Sequence, residues 1–207
     1  MSQPDDAPSP IAITASMDDY FRDIVDEAVR AHRVDASAAA QVYLVQLLSD
    51  FGRPGEALGS TMEASPTLVL HEAMAAPPSR EKFTKLRSLG DGVLYHLGFF
   101  SEHVEGRGAH KAYVAQVGSS AYENAAAMLR VQHGSAPGTT DVLTELARKF
   151  ERFVQVLAHV AHRAMAQSAL GAEGVVKLYE RWLKTGSSTL ASGLAERGLV
   201  PSRGGTA

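Results

Sequence analysis

Residues 91–104 read DGVLYHLGFFSEHV, and this stretch decides the fold. Apolar side chains fall on nearly every side of a helix drawn through it, which is typical of a helix at the centre of a bundle. Gly98 lies in the middle, where glycine lowers helix propensity, and the usual compensation is room for a neighbouring backbone to approach. We therefore predict that residues 91–104 form a buried central helix.

The chain on both sides of this stretch has helical periodicity. Upstream, Ser79 predicts the start of a helix that runs into the central one, with Gly90 as a candidate kink. Downstream, one helix is predicted to end at Gly118 and a second to begin at Ser120, which has capping-box spacing to a glutamate. The longest periodic stretch covers residues 142–164 and predicts a further helix.

Strand-like alternation is absent from the sequence, so we predict an all-α fold. A length of 207 residues is close to that of one domain, and the periodic stretches predict a single-domain bundle of about seven to nine helices. The helical domain is predicted over residues 15–199, with Ser16 as its first N-cap. Residues 1–14 and 200–207 are poor in large apolar side chains and rich in Pro, Gly and Ser, so we predict flexible tails there.

The composition excludes several classes of protein. The chain has no cysteine, which removes disulfide frameworks, thiol nucleophiles, iron–sulfur clusters and zinc fingers and fits a reducing compartment. A formal charge of -3 with dispersed lysine and arginine disfavours nucleic acid as a partner. No run is long enough for a membrane span, and the opening stretch lacks the basic and apolar regions of a secretory signal. We therefore predict a cytoplasmic protein with no membrane partner.

Standard enzyme signatures are missing as well. The sequence contains no Glu-x-x-His pair for a dimetal bundle, no P-loop and no Gly-x-Ser-x-Gly elbow. His71 and Glu72 begin a zinc-protease pattern, but Ala75 stands where the second histidine would be needed. We predict no catalytic residue and no resident cofactor.

Histidine is the one residue type whose number suggests a hidden site, since the chain has eight. His96 and His103 lie seven residues apart, so they share nearly one side of the predicted central helix. One interpretation is that each is a core or boundary histidine satisfied by a neighbouring polar group. The alternative is that the two bind a metal ion or haem, because imidazole is a common ligand for both.

A second histidine pair, His159 and His162, is predicted to face solvent. The same helix side carries Arg148, Arg152 and Arg163. Cations nearby disfavour a metal dication, and polar helix faces ordinarily point to water. We therefore predict no site at this pair.

The remaining candidates lie on or near the central helix. Arg87 and Asp91 are four residues apart and form an ion pair if the helix continues through Gly90. Several aromatic residues accompany them, a set more typical of a core than of a cofactor site. We select seven candidate ligand- or partner-binding residues: Arg87, Asp91, Tyr95, His96, His103, Tyr113 and Tyr122.

Short motifs along the chain match a pattern known from other proteins. They are Arg-x-x-Gly-Asp at residues 87–91, Gly-Phe-Phe at 98–100, Tyr113, Gly-x-x-Ala-Tyr at 118–122, and the stretches 42–48 and 178–183. In this combination the chain resembles a family of helical bacterial proteins without an assigned activity, over much of residues 36–198. The resemblance implies a helical fold and no catalytic role, and the histidines lie outside its pattern.

Three hypotheses of function follow. The first is a non-enzymatic helical domain that binds a partner protein or a small ligand, as a homo-oligomer or in a bacterial assembly. The alternative is a metal- or haem-dependent helical enzyme that uses His96 and His103. The second alternative is a helical DNA-binding regulator, which would need a strongly basic helix face.

Overall fold

The computed structural model describes residues 10–52, 65–100, 111–133 and 141–202, with side chains from residue 17 onward. Its helices are α1 (Pro10–Ala31), α2 (Ala38–Gly52), α3 (Pro66–Ala75), α4 (Arg80–Phe99), α5 (Lys111–His133), α6 (Val142–Arg148), α7 (Phe150–Ser168), α8 (Gly171–Thr185) and α9 (Ser188–Ala195). Nine helices account for most of the described ranges, and these ranges contain no strand. The predicted all-α, single-domain bundle is confirmed.

Helix α4 lies at the centre of the fold. It packs against α2, α3, α5 and α7, and its inward side chains are almost fully buried: Leu86, Leu89, Val93, Leu94 and Leu97. The side chain of Ser79 caps its start by accepting a hydrogen bond from the backbone N–H of Lys82 at 3.1 Å. The part of α4 from Leu89 to Gly98 is buried on nearly all sides, and burial of apolar area is the main stabilising term in such a bundle. The prediction of a buried central helix is confirmed for its described part.

The C-terminal end of α4 differs from the prediction. The helix ends at Phe99 instead of continuing to residue 104, and Phe100 leaves the helical region with φ -129 and ψ 34. Its backbone N–H still donates to the carbonyl of His96 at 2.8 Å, which satisfies the last turn. Residues 101–104 lie outside the described ranges.

Two glycines of α4 allow its neighbours to approach closely. A Cβ at Gly98 would lie 3.3 Å from the backbone carbonyl carbon of Leu157, so α4 and α7 meet at this point as the sequence predicted. A Cβ at Gly90 would lie 2.7 Å from the ring of Tyr122 on α5. Helix α4 runs through Gly90 without a break, and this glycine provides space for an aromatic ring, whereas the kink stays a prediction.

Two predicted helix boundaries are also wrong. Helix α1 begins at Pro10, inside the predicted tail and before Ser16, because proline suits the first helical turn and no glycine or proline follows until Gly52. Helix α5 is continuous where we predicted a break after Gly118. A Cβ at Gly118 would lie 2.8 Å from a Val93 methyl carbon, so this glycine serves close packing of α5 on α4.

The periodic stretch 142–164 forms two helices instead of one. Lys149, with φ -109 and ψ 21, separates α6 from α7. Asp141 caps α6, since its side chain accepts from the backbone N–H of Thr144 at 3.0 Å. The end of α7 packs with α8 and α9 around a small second core that includes Leu178, Trp182 and Leu190.

The predicted exposure of His159 is wrong. Helices α1 and α9 cover this part of α7, and His159 is 9% exposed. Its Nδ1 lies 3.4 Å from the Thr189 hydroxyl, its Nε2 lies 3.5 Å from the Glu27 carboxylate, and its ring packs edge-on against His32. His159 is therefore buried between helices, with Nδ1 near a hydroxyl and Nε2 without a hydrogen bond among the described residues, whereas His162 is half-buried.

None of the helices in the described part of the chain combines the length and the apolar character needed to cross a membrane.

Candidate functional site

Four side chains from three helices meet around Asp91, and we call this group the Asp91 network. Asp91 Oδ1 accepts hydrogen bonds from the hydroxyls of Tyr43 on α2, at 2.6 Å, and Tyr122 on α5, at 2.7 Å. Arg87, one turn before Asp91 on α4, donates from Nε to the Tyr43 hydroxyl at 3.0 Å. The network thus joins α2, α4 and α5 through polar contacts inside an apolar core.

Arg87 also stabilises the network through its charge. Its Nε lies 3.5 Å from Asp91 Oδ2, which confirms the predicted pair at i,i+4 spacing. Its guanidinium lies 5.4 Å from the centre of the Tyr43 ring, within the range of a cation–π contact. The Arg87 side chain is 48% exposed and that of Asp91 is 16% exposed, so the cation covers the outer side of the acid.

Burial shifts the titration of every acid in the network. It raises the pKa of Asp91, although the hydrogen bonds from Tyr43 and Tyr122 and the charge of Arg87 work in the opposite direction. Burial and the neighbouring Asp91 together raise the pKa of Tyr122 well above the ordinary phenol value, and the same two causes raise the pKa of Tyr43. Neither phenol is thus prepared to act as a phenolate base or nucleophile near neutral pH.

The alkaline stability of the protein tests this network. Because folding raises the pKa of Tyr43 and Tyr122, their stabilising contribution is complete below the ordinary phenol pKa of 10.0 and is lost as the pH rises above it. We expect the free energy of unfolding, measured by urea titration with circular dichroism, to fall steeply above that pH. In Tyr43→Phe the free energy of unfolding should decrease less with pH. Tyr113→Phe, which changes an exposed tyrosine, should keep the wild-type profile. An identical slope in wild type and Tyr43→Phe would contradict the network.

The structure brings together three of the seven predicted site residues, Arg87, Asp91 and Tyr122. The other described candidates lie elsewhere. The Tyr95 ring stacks between Phe51, at 4.4 Å, and Phe99, at 4.6 Å between ring centres.

Three candidates remain: His96 on α4, Tyr113 on α5, and His103. His96 Nδ1 lies 2.9 Å from the Gly92 carbonyl oxygen one turn earlier. Tyr113 is 51% exposed, and its hydroxyl lies 3.1 Å from that of Thr67. His103 lies outside the described residues, so the proposed pairing of His96 with His103 stays a prediction. In the ranges that the structure describes, no three His, Asp or Glu side chains come together as a metal site.

Sequence reasoning missed Tyr43 as a member of the network. Tyr43 and Asp91 are separated by 48 positions, and a tyrosine on an amphipathic helix looks like any other core aromatic. The only signal was its place in the stretch 42–48 of the resemblance. Packing of α2 against α4 is what brings the phenol to the acid.

A concave surface lies beside α5, α6 and α7, and we call it the α5–α7 groove. Its volume is about 790 Å³. Its buried floor includes Phe150, Ala115 and Ala147, whereas most of its exposed lining residues are polar. The residues that line it are Ala112, Ala115, Gln116, Ser119, Ala147, Arg148, Lys149, Phe150, Glu151, Arg152 and Gln155.

Lys149 at the edge of the groove is engaged by two acids. Its ammonium group lies 3.1 Å from the Glu145 carboxylate and 3.4 Å from that of Asp35, and it also donates to the Asp35 backbone carbonyl. Burial by itself lowers the pKa of Lys149, but Glu145 and Asp35 raise it overall. The same residues line a smaller depression of about 530 Å³ next to the groove, with Ser37 and Arg148. Lys149 therefore serves mainly to join α6 to the start of α2.

Comparisons with family models, with curated proteins and with solved structures found no match to this chain.

Proposed function

We propose that this protein is a non-catalytic helical domain that binds a small ligand in the α5–α7 groove. The observation that carries the proposal is the groove itself. Its volume of about 790 Å³ lies within the range of roughly 300–1,000 Å³ that is usual for small-molecule sites. The lining is mainly polar and includes four charged residues, so a ligand would be held there largely through polar contacts.

The Asp91 network supports the non-catalytic part of this proposal. Its acid, its two phenols and its cation are bonded to one another, and Tyr122 is fully buried. A catalytic acid or base needs a reacting group within hydrogen-bond reach, and here the strong contacts are already made between side chains. The network therefore acts as a brace between helices.

The groove is built on rigid elements, which favours binding. The Ser119 hydroxyl on α5 donates to the Ala147 carbonyl on α6 at 3.0 Å and fixes the two helices at the groove floor. Phe150 packs against Tyr122 with ring centres 5.9 Å apart, so the floor continues into the Asp91 network. A preformed site avoids much of the ordering cost of binding.

Filling the groove should prevent binding. Ala112 is exposed on the groove wall, so Ala112→Trp places an indole there with little effect on folding. We expect members of a library of small neutral, cationic and anionic compounds to raise the melting temperature of the wild-type protein and to leave that of Ala112→Trp unchanged.

The matched control is Ser88→Trp, at an exposed position of α4 that does not line the groove. This variant should keep the ligand response of the wild type. The proposal would be refuted if no compound in the library stabilised the wild-type protein. It would also be refuted if the compounds that stabilise the wild type stabilised Ala112→Trp as well.

Several expectations from the sequence accompany this proposal. The absence of cysteine supports a reducing, cytoplasmic setting. A homo-oligomer, a protein partner and a bacterial source stay predictions, as do the metal or haem enzyme and the DNA-binding regulator.

A further inference from the structure

We infer that the α5–α7 groove selects a small organic oxyanion, such as a phosphate monoester or a carboxylate, and that Arg148 and Arg152 bind its charged group. This inference rests on the proposed function, because it names the class of ligand for the same groove. It is carried by the arrangement of charge and polarity along two helix faces.

The polar residues of the groove form two facing stripes. Arg152 and Gln155 are three residues apart on one side of α7, and Arg148, the last residue of α6, lines the groove together with them. Gln116 and Ser119 have the corresponding spacing on α5. Guanidinium and amide groups thus converge on one volume from both walls. Such donors suit an acceptor-rich ligand.

The charges of the groove differ in whether they are already paired. Lys149 is paired with Glu145 and Asp35. Arg148 and Arg152 take part in none of the ion pairs found among the described residues, and both side chains are exposed on the groove wall. Glu151, also exposed, is the acidic member of the lining residues. The two arginines therefore outnumber the acid and attract an anion.

The floor of the groove favours an organic anion over an inorganic ion. Phe150, Ala115 and Ala147 all line the groove and are 3%, 5% and 9% exposed, so the base of the groove is apolar. Apolar carbon of the ligand can pack on this floor while its charged group meets the arginines. Arginine suits the charged group of the ligand because its planar guanidinium can donate two parallel hydrogen bonds to a phosphate or a carboxylate.

A small anion fits the groove better than a nucleic acid does. Binding of a nucleic-acid backbone draws on many phosphate contacts along an extended positive surface. Here the chain carries a formal charge of -3, and the groove wall adds two unpaired arginines beside a glutamate. Short duplex DNA is therefore expected to bind weakly, and it is a separate arm of the test.

The test is isothermal titration calorimetry of the full chain in low salt. The probes are glycerol 3-phosphate, citrate, glycerol and a short DNA duplex. We expect binding of at least one of the two small anions, no binding of glycerol, and weaker binding when NaCl is added. The double variant Arg148→Gln/Arg152→Gln should weaken that binding about tenfold or more, since it removes charge-assisted hydrogen bonds. Arg80→Gln, at the first residue of α4 and outside the lining set, should bind like the wild type.

Different failures have different meanings. A neutral compound that binds the wild type and is blocked by Ala112→Trp, while neither anion binds, would overturn the oxyanion inference and leave the small-ligand proposal standing. An equal loss of anion affinity in Arg148→Gln/Arg152→Gln and in Arg80→Gln would also overturn the inference. Binding of duplex DNA that depends on the arginines and is tighter than the binding of both small anions would overturn it as well. No binding by any compound, in the library or in this set, would overturn both.

Discussion

Replacing Asp91 with alanine should lower the free energy of unfolding by about 2–5 kcal/mol, because two buried phenols would lose their acceptor and each unsatisfied group costs about 1–3 kcal/mol. Tyr122 is fully buried, so its hydroxyl has no contact with bulk solvent. Arg87 would also lose the carboxylate that lies 3.5 Å from its Nε. The measurement is urea unfolding at neutral pH, followed by circular dichroism.

Asp91→Asn is the matched control for this prediction. Asparagine keeps a side-chain oxygen in the position that accepts from Tyr43 and Tyr122, while it removes the negative charge. We expect Asp91→Asn to be clearly more stable than Asp91→Ala. Equal stability of the wild type and Asp91→Ala would show that the network does not hold α2, α4 and α5 together.

Replacing Gly98 with alanine is expected to destabilise the fold although alanine is the better helix former. In an open helix the change would gain up to about 1 kcal/mol. Here the new methyl group would lie 3.3 Å from the Leu157 carbonyl carbon and 3.4 Å from its Cα, and a backbone cannot move aside as a side-chain tip can. Overpacking of this kind typically costs about 1–3 kcal/mol, so we expect a net loss of stability.

The control for Gly98→Ala is Ser88→Ala, at an exposed position of the same helix. It should be neutral or slightly stabilising, because it improves helix propensity without a new contact. Urea unfolding of both variants provides the comparison. A gain of stability in Gly98→Ala would contradict the close approach of α4 and α7.

The sequence predicted the central helix and the reason for Gly98, because both follow from local pattern. Apolar residues on all sides indicate burial, and a glycine inside such a helix indicates close contact. The same reasoning failed at Gly118, which we interpreted as a break, and it did not predict the aromatic ring that packs on Gly90. Each of these glycines makes room for side chains of another helix, and the identity of that neighbour is set by tertiary packing.

The candidate site was predicted less completely than the fold. Arg87 and Asp91 could be paired from their spacing within one helix, but the contacts of Asp91 with Tyr43 and Tyr122 span 48 and 31 positions. The groove could not be predicted, because it depends on how α5 packs beside α6 and α7. Its arginines were recognised as a polar helix face. What the sequence did not indicate is that this face lines a concavity near Lys149 and becomes buried further along, at His159.

The central claim is that ligand binding occurs in the α5–α7 groove and not at the Asp91 network. The most direct measurement is a ¹H–¹⁵N correlation spectrum of the full chain during titration with glycerol 3-phosphate. We predict that the shifted amides cluster in residues 112–119 and 147–155, with those around Tyr43 and Asp91 unchanged. Shifts concentrated around Tyr43 and Asp91, without shifts along the groove, would contradict the claim.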